Sequence, residues 1–282
     1  MTVATSSHWP MIGHKGRTLN DSIKYLNPNV ESHIELGNAR KMWLALWALG
    51  AVAVLSLLLA PLELLQPAKM HLPALAFRAL AMLNPMVMVA TTVALGSWLA
   101  PKVGLDAPLL RALLNGRGAV PVLRRQLGPA LVVGIITAGI LVGYARFTAP
   151  YFVGARIPDL PMPLVTKLLY GGVTEELLTR WGLMSLSVWI AWRIVGCRLP
   201  VPNGCYIIGA AVASLLFSAG HLPVLFLISD HPASILIGAV LLGNFVPGFM
   251  FGALFWRRGL EAAMLAHGTA HLFFHFLAPG IQ

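Results

Sequence analysis

MWLALWALGAVAVLSLLLAPLELL, residues 42–65, contains a single charged residue, Glu63. About 20 apolar residues at 1.5 Å per residue cross the hydrocarbon core of a bilayer, so this stretch predicts a transmembrane helix. Further apolar windows follow at 80–100, 129–145, 164–195, 207–218, 234–256 and 260–278. They predict about seven spans at that length, and the long window at 164–195 has room for two. The composition agrees: 57% hydrophobic residues, 11% charged and a mean hydropathy of +0.77. No run of alternating apolar and polar residues suggests a membrane barrel. The expected fold class is all-α, a polytopic membrane bundle of about seven to eight helices enclosing a polar cavity.

The formal net charge of +10 does not point to nucleic acid. The basic residues fall in clusters between the apolar windows, where positive charge sets orientation. Lys15, Arg17, Lys24, Arg40 and Lys41 precede the first window, and Lys102, Arg111, Arg117, Arg124 and Arg125 separate the second from the third. Arg193 and Arg198 follow the fourth; Arg257 and Arg258 follow the sixth. Seven simple crossings place all four clusters on one side. The opposite loops hold fewer: Lys69, then Arg146 and Arg156. This asymmetry predicts a cytoplasmic N-terminus and an external C-terminus, with the anionic inner leaflet attracting the same clusters.

Residues 1–39 are polar and lack the apolar core of a cleavable signal peptide, so they read as a cytoplasmic tail ahead of one membrane domain at 40–282. Asn84-Pro85 predicts a kink in the second span. The 102–126 loop carries a surface helix (LLRALLNGRG). The glycines of the sixth span, Gly238, Gly243, Gly248 and Gly252, suit close helix packing. Cys197 and Cys205 make neither a disulfide framework nor a metal knuckle.

Ionisable residues at membrane depth normally face a bundle interior or a wet cavity, and they nominate a functional site. Here they are Glu175, Glu176, Arg180, His221, His267, His271 and His275, with Asn84 and Asn244 as neutral additions. Glu175 and Glu176 are consecutive, so on an α-helix they point about 100° apart and cannot share one cavity. Glu176 and Arg180 stand four apart with the acid first, the favoured order for an ion pair. Glu175 is then left to face something else, about 18 Å below Pro163 at 1.5 Å per residue. His267, His271 and His275 share one helix face, while His221 ends the segment SLLFSAGH with Phe217 on its own face. A buried carboxylate can take a proton from water, and imidazoles facing it can share that proton or donate hydrogen bonds to a developing oxyanion. Taken singly these residues also have plain readings. The E-x-x-x-R pair stabilises ordinary helices, a lone histidine such as His275 bonds a neighbouring helix, and Phe217 fits a core.

Three motifs carry a family resemblance. EELLTR at 175–180 reads as EExxxR, FSAGH at 217–221 as FxxxH, and HGTAH at 267–271 stands where a histidine followed four residues later by Asn or Asp is expected. Together with the run GFMFGALFWRRGLEAAMLAH, they resemble the CAAX protease and bacteriocin-processing family of intramembrane glutamate-type proteases, over about residues 160–276. That family includes the type II CAAX prenyl endopeptidases. The resemblance implies an intramembrane endopeptidase of the bacterial inner membrane acting on a membrane-associated peptide or protein. Glu175, helped by His221, would activate water, and His267 and His271 would stabilise the oxyanion. Glu176 and Arg180 would hold the first motif, with no cofactor. His271 departs from the family's Asn or Asp, though a neutral imidazole still donates one hydrogen bond.

Three alternatives stand beside this reading. His267 and His271 have the spacing of helical zinc ligands, and Glu175 and His221 could complete a zinc set. A non-catalytic immunity or partner-binding protein could keep the motif residues for packing. Glu and His could relay protons in a transporter, although the repeats and paired broken helices of transporters are absent from the sequence.

Overall fold

The computed structural model describes residues 28–66, 72–152, 162–228 and 231–278, and among them it contains helices and no strand. Contacts divide the chain into two units, Met1–Arg40 and Lys41–Gln282. The tail expected at 1–39 lies outside the described residues as far as residue 27 and is helical from Pro28.

The helices are α1 (Pro28–Leu55), α2 (Ala74–Leu99), a short α3 (Pro108–Leu114), α4 (Ala119–Thr148), α5 (164–194), α6 (Asn203–Gly220), a short α7 (Leu222–Ile228), α8 (Ser234–Arg258) and α9 (Leu260–Leu277). Among the described residues, five stretches are long and apolar enough to cross a membrane: Ala39–Leu59, Ala74–Val103, Ala119–Tyr151, Asn203–Phe226 and Ser234–Arg258. The two other long helices, α5 and α9, carry the charged and imidazole motifs. The chain is a multi-pass integral membrane protein.

Several boundaries differ from the sequence reading for identifiable reasons. α4 begins at Ala119, ten residues before the expected start at Pro129, because VPVLRRQL is its first turns and the helix runs through Pro129. α2 likewise runs through Pro85. The 164–195 window, which has room for two spans, holds one continuous helix, α5, with Trp181 near its middle 1% exposed. The fifth span, expected to end at Ser218, continues past His221 to Phe226. His221 therefore lies inside that apolar stretch, at the turn between α6 and α7.

α5 is not a regular α-helix. Lys167–Glu175 and Leu177–Met184 are π-helical, flanked by α-helical Leu164–Thr166 and Ser185–Ile194. The i→i+5 closure of a π turn is wider than an α turn, so successive side chains diverge by less than about 100°.

The core combines large side chains such as Trp181, Phe251, Phe255 and Leu99 with close small-residue contacts between helices. α9 presents Ala262, Ala263, Ala266 and Ala270, all buried, and packs against α4. At Gly134 of α4 an added Cβ would lie 2.6 Å from the Ala266 carbonyl oxygen, and at Gly96 of α2 2.3 Å from that of Trp181. Without van der Waals room for a methyl, glycine is what lets these backbones approach. Gly248 and Gly252 of α8 serve similarly against Ser214 and Ala210 of α6, while Gly238 faces open space. Polar groups tie the same contacts: Tyr206 Oη donates to Val103 O (2.7 Å), Tyr144 Oη to Ala239 O (2.9 Å) and Thr166 Oγ1 to Ser56 O (2.9 Å). Large apolar side chains such as Leu83, Val132, Leu215 and Phe276 point outward, as a lipid-facing surface requires.

Gly96→Ala is expected to lower stability in detergent by roughly 1–3 kcal/mol through overpacking. Gly139→Ala, with no atom within 4 Å of the added carbon, should leave it unchanged or slightly raised. Thermal melts of the two variants side by side check this, and equal losses would refute the close-approach account.

Candidate active site

Arg180 and Glu176 sit one turn apart on α5, and both are buried. Arg180 Nε lies 3.1 Å from Glu176 Oε2, an ion pair whose angle falls short of a hydrogen bond. Arg180 Nη2 donates to Gly248 O on α8 at 2.7 Å, and Nη1 donates to the Thr179 hydroxyl. The pair expected from the i, i+4 spacing is present.

Glu176 has a second partner that its spacing did not announce. Its Oε1 meets His267 Nδ1 of α9 at 2.8 Å. His267 is thereby held on four sides. Its faces stack on Phe251 (centroids 4.8 Å, 25°) and His271 (4.8 Å, 17°). Its Nδ1 edge meets Glu176, and its Nε2 lies 3.9 Å from Glu175 Oε2. Adjacent glutamates thus approach one imidazole from its two edges, as the smaller angular step of a π turn allows.

Glu175 and Glu176 nevertheless do different things. Glu176 is fully buried. Glu175 lines a cavity of about 310 Å³ together with His221, His267 and His271. The Glu175 carboxylate makes no hydrogen bond to any described residue, so its lone pairs face the cavity, whereas its backbone carbonyl accepts from Thr179 Oγ1 at 2.5 Å. His221, at the joint between α6 and α7, packs its ring edge-on to Phe217 (4.5 Å, 71°), with Nδ1 2.9 Å from Phe217 O. That contact occupies Nδ1 and leaves Nε2 as the other ring nitrogen. Phe217 itself lines the cavity. His271 Nε2 is buried without a hydrogen bond to any described residue, against Gly171, where a Cβ would stand 2.4 Å from it. His275 lies apart from the cavity lining, edge-on to Phe276.

The sequence reading named Asn244 only as a neutral addition and passed over several other lining residues. Lys167, at the start of the π-helical stretch that ends at Glu175, shares the wall; its one available signal was a charge within an apolar window. Asn244 of α8 lines the wall with its Nδ2 bonded to Val240 O (2.8 Å). Pro247 has no N–H for the Gly243 carbonyl four residues earlier, and both residues line the cavity. Leu141, Ala270 and Phe274 make the rest of the wall apolar.

The zinc set considered from sequence does not assemble well. Imidazoles stacked face to face direct their in-plane lone pairs side by side, and His267 Nδ1 already meets Glu176. Among the described residues no group of three His, Cys, Asp or Glu is arranged to hold a metal ion, so the convergent ligands of a tetrahedral site are not offered.

Arg180→Ala is expected to cost about 3–5 kcal/mol, because it strands the Glu176 carboxylate in an apolar interior. Glu175→Gln, which leaves every observed hydrogen bond intact, should cost far less. Unfolding titrations of both variants in detergent test this, and an Arg180→Ala protein as stable as the parent would contradict it.

Residues 157–273 match the model of a family described as type II CAAX prenyl endopeptidase Rce1-like. No curated protein and no solved structure matches the chain. The matched segment holds the first motif on α5, the second on α6 and the third on α9, together with every residue of the cavity wall except Leu141 and Phe274. Over residues 157–273 the chain is similar to the type II CAAX prenyl endopeptidase Rce1-like family, consistent with the CAAX protease and bacteriocin-processing family that its motifs resemble.

Proposed function

We propose that the protein is an intramembrane endopeptidase that hydrolyses a peptide bond of a membrane-associated peptide or protein by glutamate-activated water, without a metal. The observation that carries this reading is the Glu175 carboxylate, unbonded among the described residues, facing a largely apolar cavity 3.9 Å from His267 Nε2.

Charge balance supports the assignment. Arg180 pairs with Glu176, and the His267 ring lies between the two carboxylates, so each acid has a cationic or imidazole neighbour, as a low-dielectric site requires. Water between Glu175 and a bound peptide carbonyl gives its proton to Glu175 as its oxygen attacks the carbonyl carbon. His221, across the cavity, orients that water. The oxygen that becomes negative accepts a hydrogen bond from His267 Nε2–H, and His271 completes the donor set. The C–N bond then breaks and Glu175 returns the proton to the departing amine. No acyl-enzyme forms. Glu176 and Arg180 position His267 and do not touch substrate. The Gly243 carbonyl freed by Pro247 and the Asn244 side chain give an extended peptide backbone two polar anchors.

The basic clusters at Lys102–Arg125, Arg193–Arg198 and Arg257–Arg258 support a reading with the N-terminus in the cytoplasm of a bacterial inner membrane. Reporter fusions at the two termini are expected to score the N-terminus inside and the C-terminus outside.

Glu175→Ala and His221→Ala are expected to abolish cleavage while the protein stays inserted, and Glu175→Gln to lower kcat by at least about 10²-fold. Membrane-proteome termini compared between cells carrying wild-type protein and Glu175→Ala would reveal the substrate. Full turnover by either alanine variant on a confirmed substrate would falsify the assignment, and a phenotype unchanged by Glu175→Gln would favour the non-catalytic binding protein. Activity should survive chelators, with no zinc found by elemental analysis.

A further inference from the structure

A second cavity, of about 380 Å³, lies at the other end of the bundle from the α6–α7 joint, where α8 ends and α4 begins. Its wall carries Arg125, Arg257 and Arg258, and its one acid is Asp106. Asp106 is already engaged: its carboxylate pairs with Arg111 at 2.6 Å and accepts from the Ala107 N–H at 2.7 Å. No ion-pair partner stands against Arg125, Arg257 or Arg258 among the described residues. Arg257 lies 4.7 Å over the Trp256 ring, and Trp256 stacks on Tyr206 (4.9 Å, 12°), which fixes that part of the wall.

Gln126, 2% exposed, also lines this cavity. Its Nε2 donates to Arg258 O (2.8 Å) and Glu261 Oε2 (3.0 Å), and these two acceptors set the orientation of the amide. Its Oε1 is buried and accepts no hydrogen bond from a described residue. A buried acceptor without a donor marks a missing partner. Three cations without counter-charges around a cavity call for an anion, and guanidinium forks match phosphate oxygens.

We propose that this cavity binds a phosphate group bearing a hydroxyl, such as a glycerol phosphate headgroup, with Arg125, Arg257 and Arg258 on the phosphate and Gln126 Oε1 accepting from the hydroxyl. Its location at the end of the bundle that carries the basic clusters suits an anionic lipid headgroup, which juxtamembrane arginine pockets recognise. A soluble glycerol phosphate has the same chemistry. The site is separate from the Glu175 cavity, so the inference does not depend on the protease reading.

The test uses the purified full-length protein in a neutral detergent, with native mass spectrometry and thermal melts as readouts. The probes are phosphatidylglycerol, phosphatidylcholine with the same acyl chains, and glycerol 1-phosphate. Phosphatidylglycerol is expected to bind and raise the melting temperature, phosphatidylcholine to bind at least tenfold more weakly, and added salt to weaken the former. Arg125→Gln combined with Arg258→Gln should weaken phosphatidylglycerol binding at least tenfold. Arg125→Gln alone, on an exposed side chain that should tolerate the change, should weaken it by a smaller factor and keeps the test decisive if the double variant fails to fold. Protection by glycerol 1-phosphate alone assigns the site to a soluble ligand; protection that requires the acyl chains assigns it to lipid. Equal binding of the two lipids, or undiminished phosphatidylglycerol binding by the folded variants, overturns the proposal.

Discussion

The buried Arg180 guanidinium constrains most of what surrounds it. A full charge inside an apolar bundle must be neutralised and its donors satisfied, or it costs several kcal/mol. Glu176 supplies the counter-charge, Thr179 and the Gly248 carbonyl take donors, and the second Glu176 oxygen passes the constraint to His267. One electrostatic requirement thereby joins α5 to α8 and α9. The result is an imidazole held at both edges and both faces, next to a carboxylate that no described protein group occupies. The order around the cavity arises from satisfying the buried Arg180–Glu176 pair.

Close packing makes that connection possible. Arg180 reaches Gly248 O because α8 carries small residues there and can lie close to α6 and α5. Elsewhere in the bundle, glycines of α2 and α4 bring backbones near enough to shape the same interior. The outward surface is a coat of leucine, isoleucine, valine and phenylalanine. With lipid as apolar as that coat, helix association rests on fit and on interior hydrogen bonds.

The membrane class was legible from composition, and the division of labour between Glu175 and Glu176 from spacing, because both depend on local rules. Charge demand predicted the Glu176–Arg180 pair before any geometry was known. What spacing could not give was the contact between Glu176 and His267, which joins residues 91 positions apart. Nor could it give the carbonyl of Gly248, since a backbone acceptor leaves no trace in residue type. Window averaging cut the fifth span short at Ser218 because His221 and Pro223 lower the local hydropathy, although the helical path continues to Phe226. Lys167 escaped because it is a single charge in an apolar window, and Asn244 stood out only as a neutral polar residue there; three-dimensional convergence is what brings the two to one wall.

The π-helical stretch of α5 has a consequence for how this protein can change over time. A π turn holds one more residue than an α turn for each hydrogen-bonded ring. Removing a residue between Lys167 and Glu175 would let that part of the helix relax to regular α geometry, a locally more comfortable state. The same deletion would rotate Glu175 out of the cavity and pull Glu176 from His267. Selection for backbone regularity and selection for the site thus oppose each other along this helix. Tolerance to insertions and deletions in α5 should consequently be poorer than its apolar surroundings suggest, even at positions whose side chains face lipid.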